Sequence, residues 1–180
     1  MARSTGDTLE ALVRRSATLF AAEGLRLKQT GATFRGKIGP RGQAKGRIVS
    51  KGDLDFVGDY RGRSVSFDAK STTNATSFPL KNLKRHQVTI CKNAHARGAM
   101  AFFLVEFSLL EVPAYFALTW PELKSFWQRY DAIAPGTTYT ASIPLPFFLG
   151  HCVRIERQGN VLDLPAAIIA LQVRMDSQSA

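Results

Sequence analysis

The sequence predicts an α/β domain, a mixed central sheet flanked by helices, and three observations carry that prediction. Two apolar-rich runs, Leu54–Tyr60 and Ser64–Lys70, meet at Arg61-Gly62, a pair suited to a tight hairpin turn. The run AMAFFLVEF over Ala99–Phe107 is apolar almost throughout, as a strand covered on both faces is, and Pro113–Thr119 supplies its neighbour. Apolar residues at helical spacing precede, interrupt and follow these strands.

The elements follow in order. Thr5 or Asp7 caps a first helix that carries Leu9, Leu12, Val13, Ser16, Leu19 and Phe20 on one stripe and ends near Gly24. Leu25 to Lys28 alternates as a strand does. From Lys28 to Lys51 the chain holds seven basic residues, five glycines and no acid, too little apolar surface for a core, so a flexible or ribbon-like basic projection is expected. After the hairpin, Ser71–Ser77 reads as a polar loop, and Pro79 opens a helix to about Ala96. The inner side of that helix is Leu80, Leu83, Val88 or Gln87, Cys91 and Ala94. Its outer side carries Lys81, Lys84, Arg85, Lys92 and Arg97 without an acid. Trp120 to Tyr130 forms a helix whose Phe126, Trp127 and Tyr130 suit either core or a dimer surface. Four punctuating residues, Pro135, Gly136, Pro144 and Pro146, make Ala134–Gly150 mostly loop. His151–Arg157 reads as a short strand, Asp163-Leu164-Pro165 caps a helix to about Met175, and Asp176–Ala180 reads as a disordered tail.

At 180 residues and 45% hydrophobic, the chain suits one domain over residues 1–180. Its net charge of +10 is uneven: residues 1–97 hold 19 basic and 7 acidic side chains, residues 98–180 hold 5 and 7. A polyanion bound by the first half is the expectation, nucleic acid ahead of membrane. No signal-peptide core and no bilayer-length apolar run is present, which points to a cytoplasmic protein. Cys91 and Cys152 stand apart from each other and from any Cys/His cluster, so buried free thiols are expected; His95 and His151 receive no chemical role.

Chemistry concentrates in the hairpin. With Arg61 and Gly62 as the loop, Tyr60 faces Arg63, and counting outward pairs Asp59 with Ser64, Val57 with Ser66 and Asp55 with Asp68. Like charges placed opposite one another destabilise a sheet unless a cation lies between them. Asp68 and Lys70 share a face by alternation, so Asp55, Asp68 and Lys70 converge, while Asp53 and Asp59 mark the hairpin's ends. Two carboxylates with few other anchors suit Mg²⁺, with Mn²⁺ as a substitute, and the ammonium can stabilise charge developing on a phosphate. Metal-assisted cleavage of a phosphodiester is the chemistry expected, with Asp55 and Asp68 as ligands and Asp55, Asp68 and Lys70 as catalytic residues. Gln87, at helical spacing from Leu83 and Lys84, suits a contact with this cluster or a polar helix border.

Asp55, twelve residues, then Asp68-Ala69-Lys70 resembles the PD-(D/E)xK nuclease core. The continuation Phe78-Pro79-Leu80-Lys81-Asn82-Leu83 with His86-Gln87 is similar to RecU-type Holliday junction resolvases. The resemblance covers Gly6 to about Trp120 and departs from the usual pattern in having Asp instead of Glu at position 68. It implies a restriction-endonuclease-like fold, with the basic insert at about residues 33–51 as a stalk that enters the open centre of a four-way junction. It also implies a homodimer cutting symmetrically, Gln87 in the catalytic group, and Glu10 as a further metal ligand, although Glu10 equally suits an ordinary exposed helix acid. Arg35, Lys37, Arg41, Lys45, Arg47 and Lys51 of the stalk, with Lys81, Lys84 and Arg85, are the expected phosphate contacts. Branched DNA is the expected partner, and a recombinase a further one. Two alternatives stand beside this reading: a sequence- or lesion-specific endonuclease of the same fold, and a noncatalytic DNA-architecture or recombinase-modulating protein.

Overall fold

The computed structural model describes residues 5–30, 33–38, 44–50, 54–132 and 141–178, with the segments 33–38 and 44–50 described by their backbone. Helix α1 (Thr5–Leu19) runs into a 3-10 turn over Phe20–Glu23 and stops at Gly24, whose left-handed φ of 97° favours glycine. Strands β1 (Leu25–Gln29), β2 (Thr33–Ile38), β3 (Ala44–Ser50), β4 (Phe56–Tyr60), β5 (Arg63–Thr72) and β6 (Ser77–Pro79) follow. Then come α2 (Arg85–Ala96), β7 (Met100–Phe107), β8 (Ala114–Thr119) and α3 (Trp120–Asp131). The chain ends with β9 (Ser142–Pro144), α4 (Leu145–His151), β10 (Val153–Ile155), β11 (Arg157–Gln158), β12 (Val161–Leu162) and α5 (Leu164–Gln178).

Six strands form the central sheet in the order β1-β4-β5-β7-β8-β10. The β5–β7 pair is parallel and the other pairs are antiparallel, so the sheet is mixed as expected. All eight residues of β7 are buried, which accounts for the run in the sequence that is apolar except for the buried Glu106. One core layer joins the sheet to α2, α3 and α4 through Phe103, Val105, Phe116, Cys91 and Phe148. The other joins it to α1 and α5 through Leu9, Val13, Phe67, Phe102, Leu104 and Leu171. Both cysteines are free and buried, as their isolation in the sequence predicts. Trp127 belongs to the core, with Phe126 and Tyr130 packed partly buried against it.

The β4–β5 turn is the two-residue loop that the sequence indicates. Arg61 and Gly62 both have positive φ, 50° and 81°, the pattern of a turn whose twist matches the strands on either side. The observed register pairs Tyr60 with Arg63, Asp59 with Ser64, Val57 with Ser66 and Phe56 with Phe67. Strands β2 and β3 form their own two-stranded ribbon, pairing Arg35 with Arg47 and Lys37 with Lys45. Alternation along paired strands places these four basic positions on one face, with Phe34, Gly36, Ile38, Ala44, Gly46 and Ile48 on the other. Arg41 and Lys51, like Asp53, lie outside the described residues.

Four local expectations are corrected. Pro79 does not open a helix. It ends β6, which pairs with β9, and a 3-10 turn over Leu80–Asn82 leads to α2 only at Arg85. Residues 141–150 are not loop: β9 and α4 occupy them, with Pro144 and Pro146 at the start of α4 where a helix accepts proline, and Phe148 packs edge-on against Phe107 at 5.1 Å and lies 5.5 Å from Phe116. The strand read at His151–Arg157 is shorter, since His151 closes α4. Helix α5 continues past Met175 through Gln178, and its Asp176 lies 3.7 Å from Arg63 of β5.

Gly58 in β4 lies so close to β1 that a Cβ there would fall 1.8 Å from the Arg26 carbonyl oxygen, an atom that cannot yield without moving the strand. Gly58→Ala is therefore expected to lower unfolding free energy by about 3 kcal/mol or more, measured by urea denaturation. Gly62→Ala meets open space and carries only the cost of its left-handed φ, about 1 kcal/mol.

Candidate active site

The site grows from the end of the β4–β5 ladder. Asp55 immediately precedes the Phe56–Phe67 pair, opposite Asp68, and its Oδ2 accepts a hydrogen bond from the Ala69 N–H at 3.1 Å. That bond joins the two acidic positions across the strands. Asp68 is fully buried at 0% exposure. Its Oδ1 accepts from Gln87 Nε2, and its Oδ2 forms an ion pair with Lys70 Nζ. Lys70 keeps 15% of its side chain exposed, whereas the Asp68 side chain it pairs with has none.

Gln87 is 4% exposed, near the start of α2. Its Oε1 accepts from the Lys84 N–H at 3.4 Å while its Nε2 reaches Asp68, so one amide ties the start of α2 to β5. Lys81 and Lys84 are exposed at that same end. Arg85 is also exposed, but it forms an ion pair with Asp131 of α3. The acid-free surface expected of α2 is thus partly neutralised by its neighbour. Lys92 lies over the Trp120 ring, 5.9 Å from its centre.

Burial pushes the Asp68 carboxyl up to about 6; the Lys70 ammonium opposes the shift and the Asp55 carboxylate adds to it. Burial likewise pushes the Cys91 thiol up to about 12, with the Asp68 charge contributing, which places this inert thiol beneath the site. One lysine does not fully compensate the two acids. Such a pair accepts further positive charge, and its oxygen chemistry fits Mg²⁺, which is held by one or two carboxylates and keeps water and substrate oxygens as its other ligands. A closed protein cage is not formed, since no group of three metal-ligating acids, histidines or cysteines occurs among the described residues.

Glu10 is therefore not brought into a three-carboxylate cluster. Its Oε2 accepts from Gln29 Nε2 at 2.6 Å and lies 3.7 Å from Arg14. Two polar residues that the sequence reading passes over, Gln29 and Thr30, stand at the end of β1 beside Asp55. Their local signal is no more than a polar pair closing a strand, and their importance comes from what pairs with them.

A six-stranded mixed sheet flanked by helices, with two acids and a lysine on its central hairpin, defines the restriction-endonuclease-like class. The family model described as "Recombination protein U" matches residues 4–165, and the chain belongs to that family. It is 37% identical over 121 residues to the Holliday junction resolvase RecU of Pediococcus pentosaceus, an alignment covering 67% of this chain and 57% of that protein. It is 40% identical over 77 residues to the protein of the same name from Staphylococcus carnosus, covering 43% of this chain and 36% of the relative. With the Staphylococcus aureus (strain JH9) relative it shares 38% identity over 76 residues, 42% and 36% of the two chains. The chain thus spans between about a third and somewhat over half of these relatives' lengths.

The raised Asp68 pKa has a consequence for stability. A carboxyl that holds its proton more tightly when folded stabilises the fold fully below its unfolded value of 3.8, and that contribution is lost as pH rises through about 6. In EDTA, the loss for wild type between pH 4 and 7 should exceed that for Asp68→Asn by about 2 kcal/mol, read from denaturation at each pH. Added Mg²⁺ should raise the wild-type melting temperature at pH 7.5 and leave that of Asp68→Asn nearly unchanged.

Proposed function

We propose that this protein is a structure-selective endonuclease that resolves four-way DNA junctions by Mg²⁺-dependent hydrolysis, cutting symmetrically as a homodimer. The observation that carries the proposal is the convergence of Asp55, Asp68, Lys70 and Gln87 at the foot of a ribbon with a one-signed face. The names of the relatives, Holliday junction resolvase, support the substrate class.

Asp55 and Asp68 would hold the metal, and Mn²⁺ would substitute. When bound, Mg²⁺ supplies Lewis acidity toward the phosphate and an activated water. Lys70 stabilises the charge that develops on the phosphate as the bond to the leaving oxygen breaks. Gln87 keeps the Asp68 carboxylate aimed by donating to Oδ1, the oxygen that Lys70 does not engage. Lys81 and Lys84 take the phosphates nearest the site, and the basic ribbon positions Arg35, Lys37, Lys45 and Arg47 take those further out. Arg85, whose side chain stays largely exposed beside Asp131, and the basic residues Arg41 and Lys51 are further proposed phosphate contacts. Electrostatics of this kind bind DNA without reading sequence, so selectivity for a junction comes from shape.

A cytoplasmic location and a recombinase partner belong to the same reading. No helix among the described residues is long and apolar enough to cross a membrane.

With Mg²⁺, a labelled four-way junction should yield paired symmetric nicks while a linear duplex of the same sequence is spared. Asp68→Asn should reduce cutting by at least about a thousandfold and leave junction binding intact or tighter, because a carboxylate that repels phosphate is removed. Cutting by Asp68→Asn at the wild-type rate would overturn the site, and binding without any cutting by wild type would favour a noncatalytic DNA-architecture protein. Replacing Arg35, Lys37, Arg41 and Lys45 together by alanine should weaken junction affinity, and the log–log salt dependence should become shallower by about 0.9 for each phosphate that is no longer neutralised.

A further inference from the structure

In the chain the β2–β3 ribbon lies between Thr30 on one side and Leu54 and Asp55 on the other. Its last strand pair on the body side is Thr33 with Ser50, and the sheet ladder begins again at Gln29 with Phe56. Thr30 sits between these two ladders. Its N–H donates to the Asp55 carbonyl at 2.8 Å, and its hydroxyl donates to the Leu54 carbonyl. One residue therefore ties the outgoing chain to two consecutive carbonyls of the returning chain. Asp55 precedes β4 and is held on its other side through Oδ2 by the Ala69 N–H. Its backbone is fixed by Thr30 and its carboxylate by β5.

Any residue but proline could supply the first bond, because it comes from the main chain. The second needs a hydroxyl, and the β-branch of threonine restricts χ1, so the donor is held ready. The neighbouring Gln29 repeats the arrangement with the other acid at this end, donating from Nε2 to Glu10 at 2.6 Å while its Oε1 accepts from Arg14 at 2.8 Å.

We infer that Thr30 is a positioning residue: through its hydroxyl it fixes the Leu54-Asp55 backbone, and so couples the base of the basic ribbon to the placement of the Asp55 carboxylate. This rests on the reading of Asp55 and Asp68 as the acids that hold metal. Thr30 bonds both carbonyls at the point where the returning chain reaches Asp55, so a shift of the outgoing chain at Thr30 is passed to the Asp55 backbone. Displacements near 1 Å at reacting groups alter rates by about a hundredfold, so such a joint can make cutting sensitive to the shape of the DNA that the ribbon engages.

The test compares Thr30→Val, which keeps shape and branching but lacks the hydroxyl, with Thr30→Ser, which keeps the hydroxyl, and with Thr30→Ala. Mn²⁺ affinity is measured by titration calorimetry on the full chain without DNA, and the Mg²⁺ concentration for half-maximal junction cutting is measured separately. Thr30→Val and Thr30→Ala should bind Mn²⁺ about fivefold more weakly, the equivalent of one hydrogen bond of about 1 kcal/mol, and need correspondingly more Mg²⁺. Thr30→Ser should stay within about twofold of wild type, and junction binding in Ca²⁺ should be unchanged in all three. Wild-type Mn²⁺ affinity in Thr30→Val and Thr30→Ala, with only a lowered melting temperature, would make Thr30 purely structural and overturn the inference alone. A wild-type protein that binds no Mn²⁺ would overturn the reading of the acids and the inference with it.

Discussion

The site depends on the register of one antiparallel strand pair. Because side chains alternate along a strand, the pairing of β4 with β5 decides which residues share a face and which stand opposite. Phe56, Phe67 and Phe102 stack across β4, β5 and β7 with ring centres 5.2 and 4.9 Å apart, sealing the face toward α1 and α5. Asp55 and Asp68 are the residues immediately before Phe56 and after Phe67, so the same register presents them on the opposite face. A slip of one residue would turn the aromatic row outward and bury the acids under α1. The apolar core thus holds the charged site in place.

That placement has an electrostatic cost that the structure offsets only in part. Desolvation of Asp68 outweighs the stabilisation from Lys70, as its raised pKa records, and the Asp55 carboxylate adds to the deficit. Proteins seldom keep such a pair without using it, and in the proposed function a divalent cation would supply the missing charge. Gln87 contributes a neutral donor in place of a second cation. It orients the carboxylate without satisfying its charge, leaving capacity for metal.

The hairpin register could be read in the sequence because both its determinants are local: a two-residue turn with a glycine that takes positive φ, and a strand period of two. Helical spacing allowed Gln87 a place facing the acids, since one side of α2 must be buried. The start of α2 could not be read in this way. Pro79 carries a helix-start signal, yet β6 is drawn into pairing by β9, which lies far along the chain. The helix α4 was hidden for the same reason, its prolines outweighing in local terms what Phe148 gains against Phe107 and Phe116. Arg85 looked like one of a row of free cations until α3 brought Asp131 against it.

By itself the sequence determined which groups meet: two acids and a lysine in fixed register, a basic segment before them, and an amide one helix away. Those features follow from strand and helix periods, which act over a few residues. Only the tertiary structure decided how the acids are held. Burial raises the proton affinity of Asp68, Gln29 bonds Glu10, and Thr30 bonds the Leu54 and Asp55 carbonyls. Each of these depends on segments distant in sequence that approach only when the sheet has formed, and no local period encodes such an approach.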